Sequence, residues 1–134
     1  MKQTHMTENI LSIAQWHQAT FPDATIETQL EKFKEEMDEL ADAADKASQT
    51  GETKELFLEL ADCAIVACGL CRWGMAATKA FDTIVAIMEK IELQNGVDPK
   101  QVFMAAIEQK MAINRQRKWH NDHGKYQHIE TKDA

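Results

Sequence analysis

Between Leu56 and Cys71 only Glu59, Asp62 and Gly69 are not strongly apolar. A helix that is apolar on nearly every side must be covered by neighbours on nearly every side. The stretch is too short to cross a bilayer, and it carries two acids. This segment therefore predicts a central buried helix with the rest of the chain packed around it. It also predicts that Glu59 and Asp62 are partly desolvated. An unpaired buried carboxylate costs several kcal/mol, of order 3–5, or takes up a proton.

The remaining 118 or so residues read as further helices, since the chain of 134 residues has only 5 Gly and 2 Pro. The expectation is an all-α bundle of about five helices and no strands. Helix one is expected from Thr7 to Thr20, ended by Phe21-Pro22-Asp23, and helix two from Thr25 to Ser48. Helix three is expected from Glu52 to Trp73, with Thr50 as its N-cap and Gly74 as its stop. Helix four is expected from Ala76 to Gln94. Asp98-Pro99 opens helix five, which runs to about Trp119. Residues 1–120 form one domain in this reading, and residues 121–134 a loosely held polar tail.

Four acids on helices two and three are spaced symmetrically. Glu36 and Asp62 are equidistant from position 49, and so are Glu39 and Glu59. The turn signal Gln49-Thr50-Gly51 follows at once. An antiparallel hairpin of the two helices would bring all four acids to one level. Residues three apart share a helix face, so each pair converges. The acid run Glu35, Glu36, Asp38 and Glu39 alone would pass as a solvated face. Glu59 and Asp62, flanked by apolar residues, would not.

All-oxygen ligation suits a hard divalent cation. No His has a Glu three residues before it, so the Glu-x-x-His pairs of di-iron bundles are missing. Mg²⁺, or Mn²⁺ in its place, is the expected ion, and Mg²⁺ is commonly shared with substrate phosphates. Helix five supplies a complement: Lys110, Asn114 and Arg117, at i, i+4 and i+7, lie on one face and suit phosphate oxygens. The net charge of −7 argues against nucleic acid as a partner. Three cysteines, an odd number, fit reduced thiols and a cytoplasmic setting, and Met1 to Met6 open no apolar leader. Cys68-Gly69-Leu70-Cys71 lies inside an apolar helix and reads as structural. His120, His123 and His128 belong to the tail.

These residues resemble a known family. Glu-Glu-x-x-Glu, a gap of 19 residues, then Glu-x-x-Asp is similar to the signature of MazG-like all-α nucleotide pyrophosphohydrolases. The segment from Lys110 to Trp119 resembles that family's Lys/Asn/Arg element. Helix one, with Trp16-His17 and Phe21-Pro22, resembles its base-pocket helix. Within the superfamily the likeness is to the small dATP/dGTP pyrophosphohydrolases.

The resemblance implies hydrolysis of a (deoxy)nucleoside triphosphate, foremost a purine dNTP, to monophosphate and pyrophosphate. Glu36, Glu39, Glu59 and Asp62 would hold Mg²⁺, with Glu35 secondary or acting through water. Lys110, Asn114 and Arg117 would contact phosphates, and Trp16 and His17 the base. A homodimer or dimer of dimers is implied as well, and an apolar helix three that needs more cover than four short neighbours easily supply leads to the same expectation. Relatives commonly carry Tyr one turn after the Asp, where this chain has Val66. From the residues alone, His17 reads more often as a satisfied helix residue than as a base contact, and Trp16 and Trp119 either stack on a base or pack in the core. A non-enzymatic helical interaction protein with a structural cation is the alternative.

Overall fold

The computed structural model describes residues 7–74 and 78–129. Five α-helices are found there: α1 Ile10–Thr20, α2 Ile26–Thr50, α3 Lys54–Leu70, α4 Thr78–Glu89 and α5 Pro99–Gln116. Short 3₁₀ turns follow α3 at Cys71–Trp73 and precede α5 at Gln94–Gly96. The expected all-α bundle is present. The expected start of helix four near Ala76, the first six residues and the last five lie outside the described residues.

α3 is the hub, touching α1, α2, α4 and α5. From Leu56 to Leu70 every residue is buried except Leu58, Glu59 and Asp62. Phe57, Leu60, Cys63 and Cys68 are among the most enclosed side chains, with Ile84 of α4 and Met111 of α5 against the same core. One chain thus covers α3 by itself. Burial of this helix does not call for a second subunit.

The helix ends follow local chemistry. Asn9 and Ser12 form a reciprocal capping box on α1, and Thr25 and Thr28 form one on α2. These caps start α1 three residues later than Thr7, which instead binds the Glu108 carboxylate on α5. Gly51, in the left-handed region at φ 77°, ends α2 and donates to Ala47 O. Thr50 is therefore the last residue of α2 rather than the cap of α3. Asp98 caps α5 by accepting from Lys100 N, with Pro99 at the first helical position.

The C-terminal segment differs from expectation. Helix five stops at Gln116, and two strands follow, β1 Trp119–Asp122 and β2 Lys125–His128. They pair antiparallel, Trp119 opposite His128 and Asp122 opposite Lys125. The two-residue turn His123-Gly124 has positive φ at both positions, 52° and 89°, as a hairpin matching strand twist requires. The segment is not a loose tail. Asn121 Nδ2 donates to Asp23 Oδ2 at 2.9 Å, and Asp23 N donates to the Tyr126 hydroxyl at 3.3 Å. A Cβ on Gly124 would sit 2.7 Å from Asp23 O, so this close approach needs glycine twice over.

Candidate active site

The antiparallel pair α2 and α3 brings three acids together. Glu36, Glu59 and Asp62 each offer one carboxylate oxygen, and these lie within 4.8 Å of one another. The turn at 51–53 lies beyond the mirror position 49. The acids still meet, although α2 continues 14 residues past Glu36 and α3 begins only 8 before Asp62.

The cluster is short of positive charge. Lys110 Nζ lies 3.2 Å from Asp62 Oδ2, the one ion pair to the three acids among the described residues. Glu36 Oε2 and Glu59 Oε2 are buried with no hydrogen-bond partner. Burial, then the charges of Asp62 and Glu39, push the Glu36 carboxyl up to about 8. The same causes push Glu59 up to about 7. Burial raises Asp62 also, against the pull of Lys110. Acids so placed either hold protons or hold a cation. Two orphaned oxygens within a set of hard donors fit a divalent ion such as Mg²⁺ or Mn²⁺.

Glu39 lies beside Glu36, where its charge helps raise the Glu36 carboxyl, and lines the same cavity, but it is exposed and outside the tight triad. Glu35 also lines the cavity, but its carboxylate is already paired. Its Oε1 is 2.6 Å from Lys125 Nζ of β2, which also bonds Glu31 Oε1 at 3.0 Å.

A cavity of about 300 Å³ opens beside the acids. At one end Glu36, Glu39 and Asp62 face Lys110 and Asn114 of α5 and Arg117, the extended residue that follows it. Asn114 is buried and its Oδ1 accepts from Arg117 Nη1 at 3.2 Å, which ties the guanidinium to the end of α5. The other end is aromatic: Trp16, Phe21, Trp119 and Tyr126. Phe21 is the hub of this cage, with ring centroids 4.8 Å from both Trp119 and Tyr126 and 5.2 Å from Trp16.

His17 lines the cavity, yet both its ring nitrogens are engaged by the protein. Arg72 can only donate, so His17 Nδ1 accepts from Arg72 Nη1 at 3.1 Å. Nε2 then carries the proton and donates to Gln29 Oε1 at 2.9 Å, while Gln29 Nε2 donates to Val66 O at 3.0 Å. Burial, reinforced by the Arg72 charge, pushes His17 down to about 4, so the ring is neutral. The chain works only because Gly69 has no side chain. A Cβ there would stand 2.6 Å from the His17 ring and 2.8 Å from Gln29 Nε2.

Gln29, Lys125 and Tyr126 were invisible as site residues in the sequence. Gln29 is a polar residue on the buried side of α2, and its partner is the backbone of Val66, which no side-chain pattern announces. The cysteines stay structural: all three thiols are free, and burial pushes Cys68 up to about 12 and raises Cys71.

Comparison with known proteins finds no matching family model, no matching curated protein and no matching solved structure. No helix among the described residues is long and apolar enough to cross a membrane.

Proposed function

We propose that this protein is a Mg²⁺-dependent nucleoside triphosphate pyrophosphohydrolase of the MazG-like kind, with purine deoxynucleoside triphosphates as its foremost substrates. The observation that carries the reading is a single cavity lined by Glu36 and Asp62, two members of an under-compensated acid triad, by Lys110, Asn114 and Arg117, and by an aromatic cage. A nucleotide has the same polarity, phosphates at one end and a planar ring at the other. The sequence likeness at Glu35 to Asp62 and at Lys110 to Trp119 supports the same conclusion. A homodimer or dimer of dimers belongs to this reading through the likeness alone.

Glu36, Glu59 and Asp62, with Glu39 adjacent, would hold the ion. When bound, it supplies Lewis-acid polarisation of a phosphoryl oxygen and charge neutralisation. The chain's own residues do the rest. With Asp62 among the residues that would hold the ion, Lys110, now paired with it, would be free to face the substrate phosphates. Arg117, held by Asn114, binds phosphate oxygens through its planar fork. Glu36, whose second carboxylate oxygen no protein donor reaches, would orient the attacking water and accept its proton. Water adds to the α-phosphorus, the bond to the bridging oxygen breaks, and pyrophosphate leaves with its charge matched by Lys110 and Arg117.

The test is incubation with Mg²⁺ and each common NTP and dNTP, with products resolved by anion-exchange chromatography. Monophosphate and pyrophosphate in equal amounts are expected. Orthophosphate as the sole phosphate product, or no turnover of any nucleotide, overturns the proposal.

A further inference from the structure

The base end of the cavity is built largely by the hairpin, a segment that the sequence likeness does not assign to the base. Trp119 and Tyr126 project from β1 and β2 against Phe21, and Trp119 also meets Trp16 at a centroid distance of 6.2 Å. The hairpin is fixed there at two further points. Asn121 and Tyr126 hold Asp23, and Lys125 bridges Glu31 and Glu35. These contacts make it a fixed wall, set against the start of α2.

One polar atom in that wall has no partner. The indole Nε1–H of Trp119 is buried and unbonded. Indole N–H groups usually find an acceptor when buried, and an unsatisfied donor is destabilising. His17 cannot serve as a reader in its place, because Gln29 and Arg72 already occupy both its nitrogens. The acidic and basic residues at the far end are suited to phosphates, so the aromatic end is left for the uncharged part of the molecule. Aromatic side chains bind planar rings through stacking, and each nucleobase carries ring or exocyclic acceptors.

Resting on the nucleotide reading above, we propose that the hairpin from Trp119 to His128 is the specificity-determining wall for the nucleobase. Trp119 and Tyr126 contact the ring, and the Trp119 indole N–H donates to an acceptor on it. Lys125 is a positioning residue that seats this wall through Glu31 and Glu35.

The experiment is calorimetric titration of the full chain, with Mg²⁺ present, using α,β-methylene analogues of the four dNTPs. The best-bound analogue is then titrated into Trp119→Leu and Trp119→Phe. The leucine variant is expected to weaken binding at least tenfold. The phenylalanine variant keeps a ring in the cage and lacks the N–H, so it is expected to weaken binding at least threefold. It keeps the proposal testable should the leucine variant not fold. Mn²⁺ affinity of the free protein, measured by electron paramagnetic resonance, is expected to stay within twofold in both. Variants that bind the analogue as the wild type does overturn the inference. So does a parallel loss of Mn²⁺ affinity, which would mean that the hairpin only holds the site together. Failure of the wild type to bind any analogue defeats the nucleotide reading itself, a different and separable result.

Discussion

Replacing Glu36 with Gln should stabilise the metal-free protein, and the amount should depend on pH. Burial and the neighbouring acids raise this carboxyl from its ordinary 4.5 to about 8. Folding therefore takes up a proton at neutral pH. The stabilising protonated form is fully populated in both states below about 4.5, and its contribution is lost as pH rises from there through 8. Integrating that linkage from 4.5 to 7 gives a cost of about 3 kcal/mol at pH 7 and below ~1 kcal/mol at pH 5. Gln is neutral and nearly isosteric, so it escapes the cost. Its amide is left in a buried spot without a hydrogen-bond partner, which costs about 1 kcal/mol. The net expectation is a gain of about 2 kcal/mol at pH 7, roughly 7 °C in Tm for a chain of this size, and nearly none at pH 5.

The assay is thermal unfolding by circular dichroism in EDTA at both pH values, then in Mg²⁺. Saturating Mg²⁺ should raise the wild-type Tm and shift Glu36→Gln much less. At a hundred times Kd, linkage supplies about 2.7 kcal/mol. A Gln variant less stable than the wild type in EDTA at pH 7 would refute the desolvation argument. So would a difference that does not change between pH 5 and 7. Equal Mg²⁺ shifts in both proteins would show that the cation does not sit on this cluster.

Gly69→Ala should destabilise by about 1–3 kcal/mol, since the new methyl overpacks the buried His17 and Gln29 pair; urea unfolding measures it, and an unchanged midpoint contradicts the packing described. His17 acts with the opposite pH sign to Glu36. Its folded value lies near 4, below the ordinary 6.5, so its contribution is complete above 6.5 and is lost toward 4, about 3 kcal/mol in all. Wild-type stability should fall on that acid limb, and His17→Asn should flatten it in the same urea titration. Lys110→Met should cut kcat/KM for the nucleotide about a hundredfold by removing a charged phosphate contact, read in the chromatographic assay, while Lys110→Arg should recover part of it.

The buried helix and its acids were legible because their residue types carry a cost that only one arrangement relieves. Apolar residues on every side of α3 demanded neighbours, and Glu59 and Asp62 among them demanded a cation or a proton. The grouping of Lys110, Asn114 and Arg117 was legible from helical spacing, and all three line the cavity, though Arg117 follows the last turn of α5. The hairpin was not legible. Its strands are four residues long, and only β2 alternates apolar with polar, through a single Tyr. The turn is His-Gly where the strongest signals are Asn-Gly and Asp-Gly. A lone two-stranded hairpin is marginal in water. This one exists because Phe21, Asp23 and Glu35 receive it, and those contacts span some ninety residues of chain.

The same long-range contact decides a question that helix periodicity left open. Glu35 and Glu36 are adjacent, about 100° apart around α2, and the sequence offers both to the cation. Lys125 takes Glu35 at 2.6 Å, on the side of α2 that the hairpin covers. Glu36 turns into the space shared with Glu59 and Asp62. Lys125 thus pairs one acid of this run and leaves Glu36 as the more buried member of the pair. Among the acids of this run, the residue whose ionisation is most costly is then the one left with a carboxylate oxygen that no protein donor reaches.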